Sequence, residues 1–312
     1  MVAGGVRMAW TDLPASLRTS IEQALGSPVV TATSQPGGFS PGSADRVVLA
    51  DGRAAFVKAV GTPVHPDSPA VNRREVYALE RLPLGLSTSR LLASVDDGDW
   101  VALAFEDLDG RHPHEPWQVD ELDLVLDLLV DNARLLTPAP AGFRPLWDEL
   151  GEDFCGWSRM RLDPPADLDP WTLAHLDDLA AYELRMPEAL DGDTLLHLDV
   201  RADNLLIVES AAGPRAVLVD WPWVSVGPAW VDIAAFCVNV GLIGGADPED
   251  VLQSRGISAS ADPEAVTAFL VGLAAYFVES GRQPDHPRLP TLRAFLRAQG
   301  DVVLAWLARR LD

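Results

Sequence analysis

The apolar pattern shifts after Glu106 from mainly strand-like runs to mainly helical ones, and that shift points to a small β-rich part followed by a larger helical part. Before it, short β-branched runs at residues 28–33, 46–50, 53–60, 90–95 and 100–105 read as strands. Asp51-Gly52 and Asp97-Gly98 carry the chemistry of two-residue hairpin turns, in which both central residues take positive φ. Residues 11–25 place Leu13, Leu17, Ile21, Ala24 and Leu25 on one helical face, with Gly26 as the stop. Residues 71–82 read as one inserted helix with Val76, Leu79 and Leu82 facing inward. After Glu106 the 3.6-residue period takes over at 120–136, 171–189, 264–278 and 292–311, broken by strand-like runs at 205–209 and 216–219. Strands followed by helices predict an α+β protein, with a small antiparallel sheet in residues 1–105 and a mainly helical part in 106–312.

Charge narrows the partners. The formal net charge of −22 excludes nucleic acid or an anionic membrane as the main partner. Residues 1–110 hold 13 acids and 9 bases, whereas residues 111–312 hold 33 and 15. The acidic part is either a solubilising surface or a field that attracts a cationic substrate. The apolar stretch at 233–245 contains Asn239 and is too short to cross a bilayer. Residues 1–10 carry no apolar core of signal-peptide length, which predicts a cytoplasmic protein with Cys155 and Cys237 as thiols. One further count stands out. The chain has 23 arginines and a single lysine, Lys58, as though one site needed a compact ammonium rather than a planar guanidinium.

The chemistry-bearing stretch is Leu195-Leu196-His197-Leu198-Asp199-Val200-Arg201-Ala202-Asp203-Asn204, followed sixteen residues later by Asp220 after an apolar run. Phosphoryl transfer needs this inventory: a carboxylate for the attacking hydroxyl, and hard oxygens to hold Mg²⁺ against nucleotide phosphates. Asp199 and Asn204 can bracket one loop, and Asp220 can complete a metal site. Gly38-Phe39-Ser40-Pro41-Gly42 formally fits the nucleophile elbow of a serine hydrolase, but a strand pattern follows it where that motif requires a helix. His112-Pro113-His114 is too constrained by proline for a helical zinc site.

These residues together resemble the aminoglycoside phosphotransferase and choline kinase family. The resemblance spans residues 10–240 and implies the bilobal protein-kinase-like fold, with residues 1–105 as the nucleotide-binding lobe and 106–312 as the catalytic and substrate-binding lobe. It implies Asp199 as catalytic base, Asn204 and Asp220 as Mg²⁺ ligands, and His197 as a loop-ordering histidine. Lys58, in Ala54-Ala55-Phe56-Val57-Lys58, would bind phosphate, paired with Glu75, for which Glu80 is the competitor. The segment Leu103 to Leu108 would be the hinge, with Glu106 and Leu108 offering backbone groups to the purine of ATP or GTP. Arg201 would stabilise transferring charge or pair with Asp203; Gly38 and Ser40 would lie over the phosphates or in a simple hairpin turn. Asp232, beyond the metal-binding segment, reads as structural.

Three departures matter. The family usually has glycine where Leu198 stands; Trp221-Pro222 replaces the Phe-Gly of protein kinases; and only eleven residues separate Asp220 from Asp232. The last two favour a small-molecule kinase over a protein kinase. The expected function is therefore transfer of the γ-phosphate to a hydroxyl of an antibiotic or metabolite, cationic if the acidic part steers it. The alternative is a non-catalytic kinase-like module that binds nucleotide.

Overall fold

In a computed structural model, residues 7–285 and 287–312 are described, so the reading of residues 1–10 lies in part outside them. The chain divides into two compact units, neither a single run of sequence. The first comprises the chain up to His112 with Asp203–Trp223 and Asp285–Leu292; the second comprises Pro113–Ala202, Val224–Pro284 and Arg293–Asp312.

The first unit is built on a five-stranded antiparallel sheet in the order β1-β2-β3-β5-β4. Its strands are β1 (Val29–Ser34), β2 (Ser43–Leu49), β3 (Ala54–Gly61), β4 (Leu91–Asp96) and β5 (Trp100–Glu106). Helix α1 (Ala15–Leu25) covers one face, burying Leu17, Ile21 and Leu25 against Val47, Val57, Ala59, Ala102 and Ala104. Helix α2 (Ser68–Leu79) covers the other, packing Val76 and Leu79 against Val101, Leu103 and Phe105. Alternation along β3 does the sorting. Val57 and Ala59 face α1, while Lys58, paired with Leu103, faces α2. A smaller sheet of Gly110–Arg111, Leu205–Val208 and Arg215–Leu218 joins this unit.

Several expectations needed correction. The helix expected from Thr11 begins only at Ala15, because Pro14 stands at its N-cap; Trp10–Asp12 forms a separate 3₁₀ turn. In Asp51-Gly52 only the glycine has positive φ, 89°. Gly52 donates to the Leu49 carbonyl at 2.9 Å and the strand resumes at Ala54, so the connection is longer than a two-residue turn. Asp51 accepts from the Arg53 backbone instead, at 3.0 Å. Asp97-Gly98 behaves alike: Gly98 has φ 96°, and Asp97 caps the Asp99 and Trp100 amides. On α2 Val76 and Leu79 face inward as expected, together with buried Asn72, Glu75 and Ala78, but Leu82 lies beyond the helix end.

The second unit is helical, with Val119–Leu135, Leu146–Phe154, Val231–Ile243 and Pro263–Arg282 as its larger elements and most of Leu292–Leu311. The single helix expected over 171–189 is three short ones, Pro170–Ala174, Leu176–Tyr182 and Met186–Ala189. Pro187 cannot donate to an i−4 carbonyl, so it starts a new helix rather than continuing the old. Helix Pro263–Arg282 is long and apolar enough to cross a membrane by length and composition, yet Val266, Phe269, Leu270, Val271 and Phe277 are buried in the protein. Strand Thr194–Leu196 pairs with Ser225–Gly227, a two-stranded ladder too short to show in the sequence, and it delivers the chain to His197.

Candidate active site

In the first unit, Lys58, Glu75 and Asp220 converge. The Lys58 ammonium lies 2.5 Å from Glu75 Oε2 and 2.5 Å from Asp220 Oδ1, and 5.7 Å from the centre of the Phe105 ring. Glu75 is the buried partner, at 1% exposure, while Glu80 sits at the helix end beside Arg81. Desolvation opposes charge on Lys58, but the Asp220 and Glu75 carboxylates more than reverse it and raise its pKa. Burial pushes the Glu75 carboxyl up against the pull of Lys58. Such a pair costs desolvation, and removing either member would leave a buried charge without its partner.

Asp220 follows the strand Arg215–Leu218 and takes φ 69°, an uncommon conformation for an aspartate. The next residue anchors it: Trp221 is buried, and its indole N–H donates to Thr88 Oγ1 at 2.9 Å and the Leu218 carbonyl at 3.1 Å. Asn204 lies across the ladder, where its carbonyl accepts the Val219 N–H at 3.0 Å and Leu205 pairs with Leu218. A carboxylate and an amide oxygen at one end of a hairpin fit a small hard cation that completes its shell with water and phosphate oxygens. Among the described residues, no group of three or more His, Cys, Asp or Glu forms a cage for a metal by itself.

In the second unit the loop after Leu196 carries Asp199 and Arg201. His197 and Leu198 donate their backbone N–H groups to the two carboxylate oxygens of Asp232, at 2.8 and 2.9 Å. Asp199 donates its N–H to His197 Nδ1 at 3.2 Å, so the histidine orders the loop from a fully buried position. The Ala202 N–H is held by Asn239 Oδ1 at 3.3 Å. Asp232 and Asn239, seven residues apart on helix Val231–Ile243, thus grip both ends of the loop from one helical face. Asn239 gave no signal in the sequence beyond a polar residue inside an apolar run. Leu198 takes φ 66°, which explains why a glycine suits this place. Burial pushes the Asp232 carboxyl up, while His197 and the two N–H groups hold it down.

Arg201 pairs with Asp199 at 3.1 Å and lies 5.3 Å over the Phe295 ring. Tyr276 stands in the same neighbourhood: burial and then the Asp199 carboxylate raise its hydroxyl pKa. Tyr276 and Phe295 carried no sequence signal, since both sit in ordinary helical patterns.

Gly38 and Ser40 lie in the turn joining β1 to β2, and a strand, beginning at Ser43, follows where a helix would be needed, so the strand–turn–helix of a nucleophile elbow is not formed. Gly42 passes against β3 so closely that a Cβ there would stand 2.2 Å from the Ala59 carbonyl. At the end of β5, the Glu106 N–H is spent on the Arg90 carbonyl and its own carbonyl accepts from Ser89 Oγ at 3.0 Å. The Leu108 carbonyl accepts from Gly110 N–H and from Arg46.

The profile of the phosphotransferase enzyme family, APH, matches residues 39–269. The chain belongs to that family and is a small-molecule phosphotransferase acting on hydroxyl groups. No curated protein sequence matches it. Its fold is shared with solved kinases at low identity. The amicoumacin kinase hAmiN, in complex with AMP-PNP, Ca²⁺ and Ami, superposes with a TM-score of 0.55 at 11% identity, covering 91% of this chain and 92% of that one. A choline/ethanolamine kinase family protein from Mesorhizobium loti gives 0.51 at 15%, covering 88% and 89%. These likenesses make the fold that of the protein-kinase-like phosphotransferases, with a small antiparallel sheet and a helical remainder.

Proposed function

We propose that this enzyme transfers the γ-phosphate of ATP or GTP to a hydroxyl of a cationic antibiotic or hydroxylated metabolite, in the manner of aminoglycoside phosphotransferases. The observation that carries the reading is the Lys58 ammonium held between Glu75 and Asp220, because a lysine fixed this way presents a point charge to a nucleotide phosphate. Asp220 and Asn204 would hold Mg²⁺, which supplies charge neutralisation of the phosphates. Asp199 orients the acceptor hydroxyl and takes its proton. Arg201, now paired with Asp199, can turn its charge to the transferring group. At the hinge, the second lone pair of the Glu106 carbonyl and the Leu108 N–H are the groups left to a purine.

The cationic acceptor rests on charge, and the structure narrows which acids can contribute. Asp247 pairs with Arg309 at 2.6 Å, Glu249 with Arg310 at 2.5 Å, and Glu183 with Ser158. Those groups are committed to packing. Glu188, Asp191 and Asp193 are exposed, and Asp153 adds a carboxylate near Tyr276. The test is a panel of cationic and neutral hydroxylated acceptors assayed with ATP and GTP at low and high salt, with Asp199→Asn as control. A cationic best substrate whose kcat/KM falls with salt is expected, since a Debye length of ~8 Å at physiological ionic strength screens its approach. The control should lose about 10²–10⁴-fold in turnover. A neutral best substrate with no salt dependence refutes the steering, and full turnover by Asp199→Asn refutes the base.

A further inference from the structure

Residues just before Trp10 are not a loose lead-in to the sheet. Met8 forms a parallel bridge with Ser43, and its N–H donates to the Gly42 carbonyl at 3.2 Å. Arg7 reaches the opposite end of the same turn, donating Nε and Nη2 to the Gly37 carbonyl at 3.1 and 2.6 Å. Two successive residues therefore tie down both ends of the glycine-rich connection between β1 and β2. The fit is close: a Cβ on Gly38 would stand 2.7 Å from Arg7 Nη2, and Gly38 takes φ 73°. Alanine there would strain the backbone and oblige the guanidinium to shift.

The charge of Arg7 is not needed to hold a carbonyl; a neutral donor would do that. Among the described residues, Arg7 Nη1 makes no hydrogen bond. Its surroundings are anionic. Burial weakens its hold on its proton, and the Asp220 and Asp45 carboxylates oppose that effect. Asp45 is buried on β2 with Oδ1 receiving the Ser34 hydroxyl at 2.6 Å. Asp220 is the carboxylate that also contacts Lys58. The Asp220 carboxylate that Lys58 contacts directly is thus also within electrostatic reach of Arg7.

We propose that Arg7 is a nucleotide-positioning residue, a second cation that faces the polyphosphate while it pins the glycine-rich turn over it. The proposal rests on the reading of that turn and of Lys58 as the phosphate end of the nucleotide site. A guanidinium suits the task because its planar fork can keep the Gly37 carbonyl on one edge and offer the other to a phosphate oxygen.

The test uses the full chain with Arg7→Gln and Arg7→Lys, and compares binding of the triphosphate, diphosphate, monophosphate and nucleoside of the preferred purine by calorimetry. Arg7→Gln is expected to weaken the triphosphate by about tenfold or more, the scale of a lost charge-assisted hydrogen bond, and to leave the nucleoside unchanged. Arg7→Lys should recover part of the loss. Equal weakening of all four ligands, or none, overturns the proposal and leaves Arg7 as a mechanical tie. Lys58→Ala, run alongside, separates the two levels of failure. If it too binds every phosphate form normally, the phosphate-site reading has failed; if it alone loses the triphosphate, only the role of Arg7 has.

Discussion

Replacement of Asp232 tests whether the loop that carries Asp199 is held from behind. Its carboxylate accepts the N–H groups of His197 and Leu198, at 2.8 and 2.9 Å, in the turn that leads to Asp199. In Asp232→Ala both donors lose their acceptor. An unsatisfied buried donor costs about 1–3 kcal/mol, so the pair amounts to roughly 2–6 kcal/mol if the loop stays in place. The loop need not stay. Leu198 sits at φ 66°, a conformation that costs an L-residue about 1–2 kcal/mol, and relaxing it returns that strain. The expected net loss therefore lies within about 0–5 kcal/mol, reached by displacement of the loop. Asp232→Asn keeps one acceptor oxygen but turns an amide NH₂ toward an N–H, and should lose about 1–3 kcal/mol.

Two readouts check this. Urea unfolding gives the stability change, and steady-state kinetics should show kcat falling with little change in the KM for nucleotide, because Lys58 and Asp220 belong to the other unit. Asp232→Asn with stability within about 0.5 kcal/mol of wild type and undiminished kcat would refute the reasoning.

Lys58→Arg should be nearly as damaging to kcat/KM as Lys58→Ala, because a planar fork cannot replace an ammonium lodged 2.5 Å from each of two carboxylates; an active arginine variant would make the lone lysine an accident of composition. Leu198→Gly should be about 1 kcal/mol more stable in urea than Leu198→Ala, reversing the usual order, because only glycine takes positive φ freely; alanine equal or better would show that the turn is not strained.

Elements whose burial pattern is local were readable from sequence. Helix Leu292–Leu311 starts and ends where its periodicity does, and β3 lies within one residue of the run read as a strand at 53–60. What failed depended on how polar side chains spend their bonds. Asp51 and Asp97 look like residues that enter positive φ, but each carboxylate finds neighbouring backbone N–H groups and the glycine alone turns. The apolar spacing of 171–189 continued across Pro187, which the backbone could not. Of the candidate site, Asp199, Asn204 and Asp220 could be singled out in the sequence because phosphoryl transfer asks for those residue types and because the stretch resembles a known family. Asp232 could be named, but its task could not, since the amides it binds lie 34 and 35 residues away. Asn239 and Arg7 were silent for the same reason: each acts on a backbone group that only the fold brings within reach.

The backbone marks the same places independently. Among the described residues, Leu198 and Asp220 are the non-glycine residues with positive φ, and both fall inside the stretch singled out for its chemistry. Such conformations persist only where the surroundings over-determine them, and here those surroundings can be named. Asp232 fastens the two amides at Leu198, while buried Trp221 and the Lys58 ammonium secure the chain on either side of the Asp220 carboxylate. A turn kept only for connection would carry glycine at both positions at lower cost. Glycine at 220 would remove the carboxylate that meets Lys58, so the strain there is tied to a side chain. At 198 no reactive group is at stake, and glycine would serve. The two outliers therefore differ: at 220 the side chain meets Lys58, whereas at 198 the chain tolerates a bulky residue where glycine would serve, and the Leu198 variants measure that tolerance.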